Sequence, residues 1–134
     1  MKREKMNKAL FAYKNAEKMS LPRESSASEV LVLIMDELIK CVKTFITNIS
    51  IKTGNMESKS KGFSKALSII YTLQSSLDLE KGGLIASDLF KLYEFTRINL
   101  IKDMRSGVVG KSDMALNSLK EINNTWHEVN TEKV

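Results

Sequence analysis

Cys41 and His127 have the most nucleophilic and metal-binding chemistry to offer, and each is the only residue of its type in the chain. A Cys–His nucleophile pair needs a thiolate beside an imidazole. Cys41, however, lies on the apolar arc of a helical pattern, where a cysteine acts as a small buried hydrophobe. A lone histidine and a lone cysteine would hold a metal only with carboxylate help. Asp36 with Glu37, and Asp78 with Glu80, have no spacing that makes a catalytic dyad. GVVGKS at 107–112 ends like a phosphate-binding loop, but the motif needs glycine where Arg105 stands, and a β-strand before it. The chemistry-bearing residues therefore assemble no active site. The reading is of a protein that is not an enzyme and uses no cofactor or metal.

Composition bounds the alternatives. With 134 residues, the chain suits one domain around one core. It is 43% hydrophobic and 28% charged, as in a folded globular protein. A net charge of +5 permits an acidic partner or nucleic acid without demanding either. One cysteine excludes an internal disulfide. The N-terminal MKREKMNKALFAYK is basic with no continuous apolar run behind it, unlike a signal peptide. The longest apolar run, Val30 to Met35, is far too short to span a membrane. A cytoplasmic location is expected, without membrane insertion.

Apolar residues recur with a helical period. Residues 5–19 suggest a short helix with Met6, Leu10 and Tyr13 on one side, too short to be stable alone. Ser26 with Glu29 forms a candidate capping box for a first long helix over about 27–50. Its apolar residues, Val30, Leu31, Ile34, Met35, Leu38, Ile39, Cys41, Val42, Phe45, Ile46 and Ile49, fill an arc of about 200°. One core needs little more than about 100°. Two explanations stand: a central helix touching two neighbours, or a groove that another helix completes.

Residues 51–62 are polar, with two glycines, and suggest a loop. A second helix follows to about Asp78, with a core stripe of Phe63, Ala66, Leu67, Ile70, Leu73 and Leu77, and Tyr71 at its edge. Gly82 and Gly83 make a corner in which one of them takes positive φ and ends that helix. A third helix, about 84–105, carries Ile85, Ala86, Leu89, Leu92, Tyr93, Leu100 and Met104 inward. Phe95 and Ile98 point outward, which suggests a partner. Ser112 is the expected N-cap of a fourth helix reaching about Val129, with Ala115, Leu119, Ile122, Trp126 and Val129 as its seam. Short connections between such helices give an all-α, antiparallel four-helix bundle with a short N-terminal helical segment. The expected organisation is a single domain: residues 1–24 as cap and linker, 25–129 as bundle and 130–134 as tail.

The run SLDLEKGGLIASDLFKLYEF places Leu77, Asp78, Glu80, Gly82, Gly83, Ile85, Ala86, Leu89, Leu92, Tyr93 and Phe95 at fixed spacings. It resembles the signature of the flagellar export chaperone FliS family. AYKN at 12–15 resembles that family's N-terminal tyrosine motif, residues 25–42 its first long helix, and NNTWHEV at 123–129 its closing tryptophan helix. Ala27, Met35 and Glu37 depart from the pattern, standing where the family has proline, tyrosine and glycine.

The resemblance implies a cytoplasmic chaperone that binds the C-terminal region of flagellin, prevents its premature polymerisation and assists its delivery to the export apparatus. A contact with the export gate while client is bound is implied as well. On this reading Met35, Ile39, Val42, Ile46, Tyr71, Phe95 and Ile98 form the client groove. Leu10 and Tyr13 cap it when empty, and Asp78, Glu80, Gly82 and Gly83 build the turn. The expected partners include no nucleic acid, and the expected state is a monomer or weak dimer. The alternatives are a basic helical nucleic-acid-binding domain and a self-assembling bundle pairing through Phe95 and Ile98.

Overall fold

The computed structural model describes residues 6, 9–13 and 24–132. Four long helices follow in order: α1 (Glu24–Thr47), α2 (Met56–Ser75), α3 (Gly83–Ser106) and α4 (Ser112–Glu132). Among the described residues, α1 packs against α2 and α4, and α3 packs against the same two, so the diagonal pairs are not neighbours. The chain is an all-α bundle whose short connections make successive helices antiparallel. Its centre is apolar, with Met35, Leu38, Val42, Phe45, Ile70, Tyr93, Leu100 and Leu119 fully buried. The rings of Phe45 and Phe63 meet at 5.6 Å between centroids, fastening α1 to α2. Most of the wide apolar arc of α1 is buried, whereas Val30 is 44% exposed.

Several boundaries differ from expectation, each for a local reason. Helix α1 begins at Glu24, so Ser26 lies inside it rather than capping it. Residues 56–62, expected as loop, are the first turns of α2. Asn55 Oδ1 accepts the Ser58 N–H at 2.9 Å and starts the helix there, while the Asn55 N–H donates to Asn48 Oδ1 at 3.0 Å. Gly62 is not a loop glycine: a Cβ there would sit 2.8 Å from the Cys41 carbonyl oxygen, so glycine lets α2 approach α1 closely. At its far end α2 stops at Ser75, and Leu77, expected within the helix, is buried outside it.

Ser112 is the first helical residue of α4 rather than its cap. Its hydroxyl donates to the Asn99 carbonyl at 3.2 Å. The capping role passes to Asp103 of α3, whose Oδ2 accepts the N–H groups of Gly110 at 2.8 Å and Ser112 at 3.2 Å. Asp103 and Ser112 are both buried, so Asp103→Ala strands the Ser112 N–H away from water, while the Gly110 N–H lies at the exposed end of the turn. The expected loss is about 1–3 kcal/mol of stability, read from urea unfolding. An unchanged midpoint would show that the cap is dispensable.

Candidate functional site

Among the described residues, ion pairs or side-chain hydrogen bonds join the α1–α2, α1–α4 and α2–α3 seams. Lys65 Nζ meets Glu37 Oε2 at 2.9 Å between α2 and α1. Asp36 Oδ1 is 2.7 Å from both Asn123 Nδ2 and His127 Nε2, between α1 and α4. Burial works against charge on Asp36, but hydrogen bonds from His127 and Asn123 hold its carboxyl below the usual value. Between α2 and α3, Gln74 Nε2 donates to Glu94 Oε1 at 3.1 Å. Glu94 also accepts two bonds from Arg97, and these foremost lower its carboxyl to about 2.

The seam between α3 and α4 is different. Asn99, Asp103 and Ser112 tie it at one end. Towards the other end it opens into a groove of about 550 Å³ with mainly apolar walls. Ile85 and Leu89 form the α3 wall, Ile122 and Trp126 the α4 wall, and Asp88 and Glu121 also line it. The remaining wall comes from Ala9 in the N-terminal segment. The spacings 85/89 and 122/126 put each pair one helical turn apart on one face.

The N-terminal segment is helical at Ala9–Phe11, turns at Ala12 and ends its described course at Tyr13, which bridges to Leu77. The expected helix over 5–19 therefore stops at Phe11; its continuation beyond Tyr13 lies outside the described residues. Met6 and Leu10 are buried and join the bundle's core. The Ala12 carbonyl accepts the Asp78 N–H at 2.6 Å. The Tyr13 and Tyr93 hydroxyls meet at 2.6 Å. Burial, then the neighbouring Tyr93, pushes the Tyr13 phenol well above its ordinary value, and burial pushes Tyr93 up too. Both stay protonated at neutral pH, so one hydroxyl donates to the other.

The receiving corner, residues 76–82, accounts for the paired glycines. Asp78 Oδ1 accepts the Lys81 N–H at 3.0 Å, and the Asp78 carbonyl accepts the Gly82 N–H at 2.8 Å. Gly83 takes φ +56° with open space around it, whereas Gly82 has φ −77°. A Cβ on Gly82 would lie 2.8 Å from the Ala12 Cα. One glycine is required by backbone conformation and the other by the segment packed against it. Together they open α3; they do not close α2. Glu80 is exposed at the corner.

The other expected groove residues divide between core and surface. Met35 and Val42 are fully buried, Ile39 is nearly so, and Ile46 is half-buried. Tyr71 is 72% exposed on α2, Ile98 is 39% exposed on α3, and Phe95 is half-buried. Ile85, Leu89, Ile122 and Trp126 have the spacing of ordinary core positions, and only the three-dimensional opening of their seam distinguishes them.

A family model described as "Flagellar protein FliS" matches residues 6–133. The chain belongs to the FliS family. It is also similar to the flagellar secretion chaperone FliS of Vibrio cholerae serotype O1, with 27% identity over 125 residues, covering 92% of this chain and 90% of that protein. FliS proteins are chaperones of flagellar secretion, not enzymes. In this FliS chain, the signature LDLEKGG builds the corner that holds the N-terminal segment, and the tyrosine of LYEF is that segment's hydrogen-bond partner. No helix among the described residues is long and apolar enough to cross a membrane.

Proposed function

We propose that this chain is a cytoplasmic flagellar export chaperone for the C-terminal region of flagellin. By holding that region it prevents premature polymerisation, and it assists delivery to the export apparatus, contacting the export gate with client bound. We place the first client contact in the α3–α4 groove, with the N-terminal segment as its removable wall. The observation that carries this reading is the mouth of the groove. In a FliS-family chain, a segment ending in the Tyr13–Tyr93 hydrogen bond lies beside an apolar seam that the bundle leaves open. An amphipathic client helix would lay its apolar face along Ile85, Leu89, Ile122 and Trp126, the helix-in-groove mode of peptide recognition. Tyr71, Phe95 and Ile98 extend the contact surface over α2 and α3. Met35, Ile39, Val42 and Ile46 belong to the core on which those helices rest.

Apolar contact sets the expected salt response. A C-terminal flagellin peptide should bind one to one, with an affinity that changes little between low and high salt. Charge-driven binding loses orders of magnitude over the same range. Titration calorimetry at two salt concentrations decides between them, and a collapse at high salt would refute the apolar mode.

A further inference from the structure

Helix α4 is a wall of two clefts. Ile122 and Trp126 face the apolar groove with α3. Lys120, Asn123, Asn124 and His127 line a second cleft, of about 540 Å³, against α1. Its α1 side carries Lys40 and Lys43, flanked by Ile39 and Thr44. Asp36 is already engaged by Asn123 and His127. Among the described residues, Lys43 and Lys120 make no ion pair. Three ammonium groups thus border one open trough, against a single carboxylate that its neighbours occupy.

We propose that the α1–α4 cleft is a docking site for an acidic peptide segment of a partner protein, separate from the apolar groove. Length suits a peptide: from Asp36 to Thr44 the α1 wall runs about 12 Å, or two turns of a bound helix. The lining suits it too. Lysines meet carboxylate side chains, Asn124 can pair with main-chain amides, and Ile39 gives an apolar floor. A second copy of this chain is disfavoured, since with a net charge of +5 it would bring cations to cations. Nucleic acid fits poorly, because its affinity grows with the number of phosphates neutralised. Here only three lysines line the cleft, with no arginine and no Phe, Tyr or Trp to stack a base.

The test uses the full chain, labelled with nitrogen-15, and an end-blocked helical peptide with glutamate on one face and alanine elsewhere. A matched peptide with glutamine for glutamate is the control. Saturable binding of the glutamate peptide alone is expected, with amide shifts centred on Lys40, Lys43, Thr44, Lys120 and Asn124. The double variant Lys43→Glu/Lys120→Glu should weaken binding about tenfold, the scale of two exposed ion pairs. Lys52→Glu/Lys91→Glu carries the same change in net charge on exposed lysines elsewhere. It should alter affinity less than about twofold. Circular dichroism checks folding, and Lys43→Gln/Lys120→Gln replaces the first variant if it misfolds. Equal weakening by both double variants would reduce the effect to net charge and overturn the site. So would shifts centred elsewhere, absence of binding, or tighter binding of a single-stranded oligonucleotide. Because the probe is not flagellin, these outcomes are independent of the α3–α4 groove.

Discussion

Trp126→Ala is expected to lower the unfolding free energy by about 3–5 kcal/mol, the usual cost of deleting a large buried aromatic side chain. Trp126 is only 3% exposed and belongs to the core cluster, yet it also lines the groove between α3 and α4. The substitution leaves a hole where the seam is already open, with Ile85, Leu89 and Ile122 the nearest groove walls. For a domain whose total stability is on the order of 5–15 kcal/mol, that loss is severe. Urea unfolding followed by circular dichroism measures it, since the only tryptophan is removed with the mutation. A loss below about 1 kcal/mol would mean that Trp126 contributes little to the packed core.

The second large effect is expected at the corner, where the two glycines should fail differently. A Cβ on Gly82 would lie 2.6 Å from the Ala86 Cβ, 2.7 Å from the Asp78 carbonyl oxygen and 2.8 Å from the Ala12 Cα. None of these atoms is the tip of a flexible side chain, so relief requires backbone to move. Gly82→Val should cost about 1–3 kcal/mol or more and push the N-terminal segment off the corner. Gly83→Val meets no neighbour within 4 Å, but it strains a backbone held at φ +56°. That should cost about 1–3 kcal/mol while the segment stays in place. Thermal melts give the energies, and hydrogen exchange at residues 9–13 gives the position of the segment. Unchanged exchange in Gly82→Val would disprove the close approach of Ala12.

The four helices were legible because their apolar residues recur at helical spacing, a signal that extends through every turn. The family signature was legible for the same reason, as many positions at fixed intervals. What sequence missed depends on single contacts. The polar stretch from Met56 to Gly62 reads as solvated loop unless Asn55 is known to cap it and Gly62 to face α1. Ser112 has the chemistry of a cap, but its own N–H is bonded to Asp103, nine residues earlier, and its hydroxyl donates to the Asn99 carbonyl. Either glycine of the pair could satisfy the turn on paper; the nearby Ala12 assigns their separate roles. The groove was the least legible feature. Ile85, Leu89, Ile122 and Trp126 have the pattern of a closed seam, and that the seam parts beside Ala9 is a property of the assembled bundle.

The central claim is that the N-terminal segment is a removable wall over a client groove. Its burial of Met6 and Leu10 contributes roughly 1.5–3 kcal/mol for each side chain. Ordering the segment's backbone costs about 1–2 kcal/mol per residue and works against that burial. Titrating a C-terminal flagellin peptide into the full chain and into a chain lacking residues 1–18 tests the claim directly, with melts of both proteins alongside. The account expects a truncated bundle that stays folded on its α1–α4 seams and binds the peptide equally well or more tightly. A truncated chain that melts far below the full chain would contradict it and make Tyr13 and Leu10 permanent parts of the core. A folded truncated chain that binds the peptide more weakly would contradict it as well, making the segment part of the client contact rather than its competitor.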